Sequence, residues 1–253
     1  MNLQGTQVLI TGGSGGIGFG LAKRFVHAGA TVLVTGRRAE KLENARSILP
    51  GLLIFTNDIS VPAEREKLAI FVRQHLPRLS ILVNNAGIQR RVALAADHAP
   101  WWERQREIDT LLSGPIHLTD LLLPLLLEQE KWSVIVNVTS GGAYIPQVFA
   151  PVYSACKTAL HSYSEVLRYS LVRTAYSVVE LVPPAVQTEL GGATPHGAPL
   201  EDFCDMVFQE LTTTGATRIG FGPTANLETT IGGQLLDSLF QQSAARNPIT
   251  LYE

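Results

Sequence analysis

Short apolar runs alternate along the chain with segments of helical periodicity. Six runs have the composition and length of buried strands: 7–10, 31–36, 52–56, 80–87, 133–140 and 177–184. Between them, apolar residues recur at helical spacing, which predicts helices at 20–29, 39–49, 62–76, 100–129 and 153–176. Apolar strands that alternate with helices are typical of a parallel sheet covered on both faces. The pattern therefore predicts a doubly wound α/β fold.

The pattern weakens beyond residue 190. The stretch "GGATPHGAP" (191–199) predicts a mobile loop, residues 200–213 a further helix, and "TRIGFG" (217–222) an edge strand. The sequence contains no linker, charge block or repeat of fixed period, and 253 residues fit one large α/β domain. We therefore expect a single domain over residues 1–253, with its ligand at the carboxyl ends of the strands.

A glycine-rich stretch, "TGGSGGIG" (11–18), joins the first predicted strand to the first predicted helix. Many tight turns need glycine, but a glycine loop that follows a strand and opens a helix also lets backbone N–H groups bind a pyrophosphate. The context favours a dinucleotide-binding loop. Its predicted cofactor-binding residues are Gly12, Ser14, Gly15, Gly16, Ile17 and Gly18.

The charges that follow the second strand indicate which dinucleotide binds. A carboxylate for the ribose 2′-hydroxyl of NAD is expected near here, and none occurs from Val34 to Arg38. Arg37 and Arg38 suit a 2′-phosphate, which favours NADP(H) over NAD(H); alternatively both are solvated residues at a helix start. After the third strand, Asp58 is predicted to accept a hydrogen bond from adenine, with Ile59 beside it. The alternative role for Asp58 is a helix cap.

The motif "YSACK" places Tyr153 and Lys157 four positions apart, on one face of a predicted helix. One interpretation is that two amphipathic side chains reach the same surface. The other is that the lysine charge lowers the tyrosine pKa and so creates a proton donor that works near neutral pH. The pair alone does not decide between these interpretations.

Composition excludes several classes of function. The formal net charge of −2 gives no reason to expect nucleic acid or an anionic membrane as partner. The first residues show no signal-peptide pattern, and the apolar stretch from Leu121 is short and contains a proline. Two cysteines suit a reducing compartment, so we expect a cytoplasmic protein. The six histidines form no metal-binding spacing, and no metal site is predicted.

Together the motifs resemble those of the short-chain dehydrogenase/reductase superfamily over about residues 5–190. The pattern TGxxxGxG matches Thr11, Gly12, Gly16 and Gly18, and NNAG is residues 84–87. Ser140 stands thirteen positions before Tyr153, as the superfamily requires. Segments such as "NNAGIQR" and "PVYSACKTALHSYSEVLR" are similar to the oxidoreductase branch named after a dehydrogenase of the teichoic-acid D-alanylation operon. The resemblance implies a Rossmann fold with a nicotinamide cofactor.

The resemblance also assigns roles to residues. Ser140 would hydrogen-bond the substrate carbonyl, Tyr153 would exchange a proton with it, and Lys157 would bind the nicotinamide ribose. The remaining residues expected to contact the cofactor are Asn85, Ala86, Gly87, Pro183, Val186 and Thr188. The chain would divide into a cofactor half (about 1–140) and a substrate part (about 140–253) with a lid at about 189–215. Members commonly form homodimers or homotetramers.

One position departs from the superfamily pattern. Leu111 stands where an asparagine usually maintains a water-linked path from the lysine to solvent, and Asp109, Thr110 or Ser113 is a possible substitute. The leading hypothesis is an NADPH-dependent carbonyl reductase. Leu111 supports a second hypothesis, a catalytically impaired NADP(H)-binding sensor or scaffold protein. The third hypothesis is an epimerase or a dehydratase. Such enzymes tend to carry a C-terminal substrate domain, and the roughly 60 residues after Thr188 leave little room for one.

The substrate pocket is expected after Ser140 and after NNAG. "GGAYIPQVFAP" (141–151) is mostly apolar and aromatic, which favours a carbonyl or alcohol with an apolar body. An acidic group of a substrate could be bound by Gln89, Arg90 and Arg91. The favoured interpretation is that all three lie exposed at the surface.

Overall fold

Seven parallel strands form one sheet in the computed structural model, which describes residues 3–129, 132–191 and 197–227 and a few isolated positions from residue 238 onward. The sheet order is β3-β2-β1-β4-β5-β6-β7. The strands are β1 Gln7–Thr11, β2 Thr31–Gly36, β3 Leu53–Thr56, β4 Leu79–Asn84, β5 Ser133–Val138, β6 Tyr176–Val182 and β7 Arg218–Gly220. The predicted doubly wound α/β fold is confirmed, and its order reverses between β1 and β4, where such sheets bind ligands.

Helices cover both faces of the sheet. They are α1 Gly16–His27, α2 Ala39–Ile48, α3 Pro62–His75, α4 Trp101–Ile108, α5 Gly114–Leu127, α6 Pro151–Ser170 and α7 Leu200–Thr213. Successive side chains of a strand point to opposite faces, so Val8 and Ile10 pack under α1, α2 and α7, whereas Leu9 packs under α3, α5 and α6. Both faces are apolar, which explains why the strands are continuous hydrophobic runs.

The predicted helix at 100–129 is interrupted. Residues Asp109–Ser113 form a π-helical turn between α4 and α5, in which the Gly114 N–H donates to the Asp109 carbonyl. The physical reason is Pro115, which has no N–H to donate to the Leu111 carbonyl four residues earlier and whose ring crowds that carbonyl. Such turns are frequent at functional sites.

Helix α7 differs from its predicted role in a lid. Its Phe203, Cys204 and Val207 are buried in the core against α1. Salt bridges from Lys23 and Arg24 of α1 reach acidic residues of α7 and fix this packing. The lid predicted at 189–215 therefore extends too far, because residues 200–213 belong to the core. Residues 192–196, the centre of the predicted loop, lie outside the described residues.

The helical run Trp101–Leu127 is long and apolar enough, by length and composition alone, to cross a membrane. The same composition occurs in core helices of globular proteins. Half of its most apolar 18-residue stretch is buried. Helix α5 packs against α3 and the sheet through Leu118 and Leu122. The contacts of this run are those of a core helix.

Candidate active site

The glycine loop after β1 is packed too tightly for side chains. Gly12 has a φ of +66°, and a Cβ there would lie 2.7 Å from the Ala86 Cα. A Cβ on Gly18 would lie 2.5 Å from the Asn85 Nδ2. Glycine is therefore needed at these positions so that the backbones of the loop and of the segment after β4 can meet.

The same loop is open where a ligand would lie. Gly15 is the N-cap of α1, no side chain caps the helix, and a Cβ on Gly15 would meet nothing within 4 Å. The N–H groups at a helix N-terminus form a ready site for a phosphate. This cradle fits the pyrophosphate of a dinucleotide. Ser14 lies beside it near Gly36, the last residue of β2.

Asn85 and Ala86, which follow β4, brace the glycine loop. The Asn85 side chain donates to the carbonyls of Thr11 and Gly12, at 2.9 and 3.1 Å. The Thr11 hydroxyl accepts the backbone N–H groups of Asn85 and Ala86, both at 3.0 Å. Asn85 and Gly87 also line the cleft. Thr11 has a structural role that sequence reasoning did not assign, although its place in the motif marked it.

Arg37 and Arg38 are exposed beside the carboxyl end of β2. Arg38 lies 3.7 Å from Glu189, which also accepts a 2.6 Å hydrogen bond from Lys41. The two arginines and the lysine thus concentrate positive charge where a ribose 2′-phosphate is expected. Sequence reasoning did not identify Lys41 or Glu189, because the chain separates them by 148 positions.

Asp58 and Ile59 lie at the end of β3. Asp58 accepts hydrogen bonds from the backbone and side chain of Ser60, so its carboxylate is engaged in the turn before α3. The helix-cap alternative is wrong, because the N-cap of α3 is Val61 and no side chain caps this helix. Burial raises the pKa of Asp58, but these hydrogen bonds and the charges of Arg37 and Arg106 outweigh burial and lower it. Ile59 is buried, and its carbonyl accepts from Arg65. A cofactor contact for Asp58 or Ile59 stays a prediction.

Three side chains converge at the ends of β5 and α6. Ser140 follows β5 and is hydrogen-bonded with Tyr153, while its hydroxyl also accepts the Gly142 N–H at 3.0 Å. Lys157 donates to the Val138 carbonyl at 2.6 Å, and its Nζ lies 5.6 Å from the centre of the Tyr153 ring. Ser140, Tyr153 and Lys157 are all buried and all line one cleft.

Burial dominates the protonation of this group. It raises the pKa of Tyr153, which the hydrogen bond with Ser140 lowers and the charge of Glu107 raises further. Burial also lowers the pKa of Lys157 to about 8. The expectation that Lys157 lowers the pKa of Tyr153 stays a prediction; in this structure burial, Ser140 and Glu107 shift the pKa of Tyr153. For both side chains, removal from water is the largest cause of the shift in pKa.

Leu111 packs against Tyr153, Cys156 and Ala150. Within the described part of the chain, Asp109, Thr110 and Ser113 make no hydrogen bond to Tyr153 or Lys157. The Thr110 hydroxyl donates to the Arg106 carbonyl, and Asp109 accepts from Gln105. A hydrocarbon therefore fills the place of the usual asparagine, within a π-helical turn.

The cleft has a volume of about 440 Å³. Ile17 borders it on the side of the glycine loop, and Pro183, Val186 and Thr188 border it after β6. Thr188 also lies over the glycine loop, because a Cβ on Gly16 would be 3.4 Å from its Cγ2. The segment after β6 is thus positioned to close over a ligand held at the loop.

A buried ion network lies next to Ser140. Glu180 of β6 accepts from Thr139, Tyr144, His161 and Arg218, at 2.7 to 3.0 Å. One carboxylate oxygen of Glu180, one of Glu165 and a ring nitrogen of His161 lie within 4.8 Å of one another, a spacing that also occurs among the ligands of metal sites. Here the Arg218 guanidinium binds both carboxylates, so the cluster is an ion-pair network. It fixes Thr139, the residue before Ser140.

The family follows from a comparison with known proteins. Residues 6–198 match the model of the short chain dehydrogenases. The chain belongs to the short-chain dehydrogenase family. Ser140, Tyr153 and Lys157 are the residues of this dehydrogenase that correspond to the superfamily motif, and the resemblance drawn from the sequence is confirmed.

Three curated relatives illustrate the range of activities. The uncharacterised oxidoreductase DltE of Bacillus subtilis is 38% identical over 80% of this dehydrogenase and 83% of its own chain. A sulfoacetaldehyde reductase of Chromohalobacter salexigens is 33% identical over 72% and 73%. A serine 3-dehydrogenase of Agrobacterium fabrum is 34% identical over 72% of each chain.

Solved structures share the fold over most of the dehydrogenase. A short chain dehydrogenase of Burkholderia cenocepacia in complex with NADP has a TM-score of 0.80 and 23% identity, and 99% and 100% of the two chains are covered. A 3-ketoacyl-(acyl-carrier-protein) reductase of Brucella melitensis complexed with NADH has a TM-score of 0.78 and 28% identity, with 86% and 97% covered.

Proposed function

We propose that this oxidoreductase is an NADP(H)-dependent carbonyl reductase, reversible as an alcohol dehydrogenase. The observation that carries the proposal is the convergence of Ser140, Tyr153 and Lys157 on a cleft that Ile17 of the glycine loop also lines. A cleft of about 440 Å³ is large enough for a small substrate beside a nicotinamide.

NADPH supplies a hydride when it is bound. Ser140 holds the substrate carbonyl oxygen by a hydrogen bond, and Tyr153 donates its phenolic proton to that oxygen. Burial raises the pKa of Tyr153, which favours the protonated form that this step requires. Lys157, fixed by the Val138 carbonyl, stabilises the tyrosinate that remains after the transfer.

Positive charge at the end of β2 supports NADP(H) over NAD(H). Arg37, Arg38 and Lys41 can pair with a 2′-phosphate, and the segment Val34–Arg38 carries no carboxylate for a 2′-hydroxyl. Glu189 competes for Arg38 and Lys41, and we expect the phosphate to replace it.

The substrate is a small carbonyl compound with an apolar part. Ile145 and Phe149 give the cleft an apolar wall next to Tyr153. Two relatives, a sulfoacetaldehyde reductase and a serine 3-dehydrogenase, are named for reactions that interconvert a carbonyl and an alcohol. Their substrates are small, which agrees with the size of the cleft.

The test is NADPH oxidation against a panel of aldehydes, ketones and diketones, with Tyr153→Phe in parallel. We expect turnover in the wild type and a loss of about a hundredfold or more in the variant, the usual contribution of a general acid. Equal turnover in both proteins would refute the assigned role of Tyr153.

The alternative hypothesis is an NADP(H)-binding sensor without turnover; it rests on the buried Leu111 alone, and the presence of Ser140, Tyr153 and Lys157 argues against it. Tight NADPH binding without activity on any carbonyl would support it.

We also propose a homodimer or homotetramer that pairs through α6, because Val166, Tyr169 and Val172, on or just after this helix, are 63–80% exposed. Light scattering of wild type and Tyr169→Glu tests this pairing.

A further inference from the structure

Two adjacent arginines after β4 have different surroundings. Arg90 donates two hydrogen bonds to Asp97, at 2.8 and 2.9 Å, and lies 3.2 Å from Glu103. Its charge is thus balanced by the protein. Arg91 has no carboxylate within ion-pair distance among the described residues. A cation that the fold leaves unbalanced is available for a ligand.

Arg91 is held at the wall of the active-site cleft. Its guanidinium lies over the ring of Phe149, with 4.1 Å between the guanidinium carbon and the ring centre. One of its N–H groups donates to Gln89 at 3.3 Å, and Gln89 in turn donates to Gln147 at 3.1 Å. Arg91, Gln89, Gln147 and Phe149 all line the cleft. Stacking on an aromatic ring fixes the guanidinium plane and leaves its edge free to donate.

This position is close to the chemistry and apart from the cofactor phosphates. Phe149 packs against the cluster that contains Tyr153, so Arg91 lies one aromatic ring away from the proton donor. The phosphate cradle follows β1 and the 2′-phosphate cations follow β2, whereas Arg91 follows β4 and Phe149 follows β5. The cofactor therefore does not account for Arg91.

The charge of the cleft has one sign. Among the described residues that line it, the charged ones are Arg91, Lys157 and Arg246, and none is acidic. This holds in a chain whose formal net charge is −2. A cleft lined by one sign of charge concentrates ligands of the opposite sign.

We propose that the substrate carries an oxyanion, a carboxylate or a sulfonate, which Arg91 binds while the carbonyl lies at Ser140 and Tyr153. This rests on the proposed reductase and narrows its substrate class to short carbonyl acids. Gln89 and Gln147 supply further N–H donors to the same anion, and the carbon chain between the two groups packs on Phe149. Arg91 is exposed, as the sequence predicted. Its side chain nevertheless lines the cleft, so its charge is available to a ligand there.

The experiment compares anionic and neutral carbonyls in wild type, Arg91→Gln and Arg91→Lys. Succinic semialdehyde and sulfoacetaldehyde carry the anion, and butanal is the neutral probe. In Arg91→Gln we expect kcat/KM for the anionic substrates to fall about 10- to 100-fold, the loss of a charge-assisted hydrogen bond, with butanal changed by about twofold or less. Arg91→Lys restores part of the loss. Arg173→Gln, an exposed arginine outside the cleft, is the matched control.

A fall of equal size for butanal and the anionic substrates, or no fall, would overturn the proposal while the reductase stands. If the wild type reduces no carbonyl, the proposed reductase function fails. The proposal that Arg91 binds an oxyanion is then tested by ligand binding instead of turnover. Calorimetric titration with glutarate in the presence of NADPH then supports it if binding is lost in Arg91→Gln, and overturns it if the wild type does not bind.

Discussion

Gly12 and Gly15 lie in the same loop, but a methyl group would have opposite effects at the two positions. Gly12 has a left-handed conformation, and a methyl group there would collide with the backbone of Ala86. Gly15 has an extended conformation, and a methyl group there would enter open space. The first glycine is therefore required by the fold, and the second by the ligand that we assign to the cradle.

We expect Gly15→Ala to change the free energy of unfolding by less than about 0.5 kcal/mol and to weaken NADPH binding by about tenfold or more, because the methyl fills the cradle. Gly12→Ala should instead cost about 1–3 kcal/mol of stability. Thermal unfolding and NADPH fluorescence titration measure both. Unchanged NADPH affinity in Gly15→Ala would mean that the phosphates lie elsewhere.

Glu107 is a second residue whose effect is local. It is buried on α4, accepts the Arg90 N–H at 2.9 Å, and its charge raises the pKa of Tyr153. Removal of that charge in Glu107→Gln should lower the pKa of Tyr153. Since alcohol oxidation requires the tyrosinate, its rate should then reach half of its maximum at a lower pH than in the wild type.

The measurement is the pH dependence of kcat/KM for oxidation. Glu103→Gln, on the same helix but partly exposed, is the control and should leave the profile in place. A profile that is the same in Glu107→Gln and wild type would show that the charge of Glu107 does not reach the tyrosine.

At the scale of elements, the short helical turn Glu189–Gly191 is tied to α2 by the contact of Glu189 with Lys41. The contact joins the segment after β6 to the region where the 2′-phosphate is expected. It occupies the cations that we assign to the phosphate. We therefore expect the binding of NADPH and this contact to compete.

Glu189→Gln should lower the KM for NADPH by about two- to fivefold, a change typical of an exposed ion pair, and should leave the KM for NADH unchanged. Glu43→Gln is the control, since Glu43 pairs with Arg46 on α2 itself. An equal change for both cofactors would exclude competition with the 2′-phosphate. Steady-state kinetics with the two cofactors decides this.

At the scale of the whole molecule, the Glu180 network joins β5, β6, β7 and α6 next to Ser140. Burial raises the pKa of Glu180, but hydrogen bonds from His161, Arg218 and Thr139 outweigh burial and lower it to about 2. A carboxylate whose pKa is lower in the folded than in the unfolded protein stabilises the fold above its unfolded pKa. The stabilisation is lost as the pH falls from about 4.5 towards 2.

Glu180→Gln should destabilise the protein by about 3 kcal/mol at neutral pH, because a buried ion pair loses one partner. The difference from wild type should shrink as the pH falls below about 4.5. Urea unfolding at a series of pH values measures it, with the exposed Glu40→Gln as control. A constant difference at every pH would mean that the Glu180 charge is not what stabilises the network.

The sequence predicts the sheet and the motif residues well, since both depend on local patterns. Buried strands are recognisable as apolar runs, and the glycine loop is identified by the strand and helix around it. The π-helical turn had a local signal, Pro115, but its effect on the Leu111 carbonyl appears only when helix geometry is considered. The predicted strand at 80–87 ends at Asn84 because Asn85 turns to the glycine loop.

Contacts between distant segments could not be predicted. Glu180 and Arg218 are 38 positions apart and meet only because β6 and β7 are neighbours in the sheet. The role of α7 is similar: its apolar stripe fits a lid or a core helix equally, and the packing on α1 decides. The position of Arg91 depends on Phe149, which reaches it from the loop after β5.

The place of Arg218 in this network has a consequence for biosynthesis. Because β7 is the last of the described strands along the chain, Arg218 leaves the ribosome after every other member of the network. The glycine loop and its neighbouring strands are complete long before that point, whereas Glu180 has no guanidinium partner until residue 218 has emerged. A growing chain would therefore complete the proposed nucleotide site first and fix Ser140, the proposed catalytic serine, last.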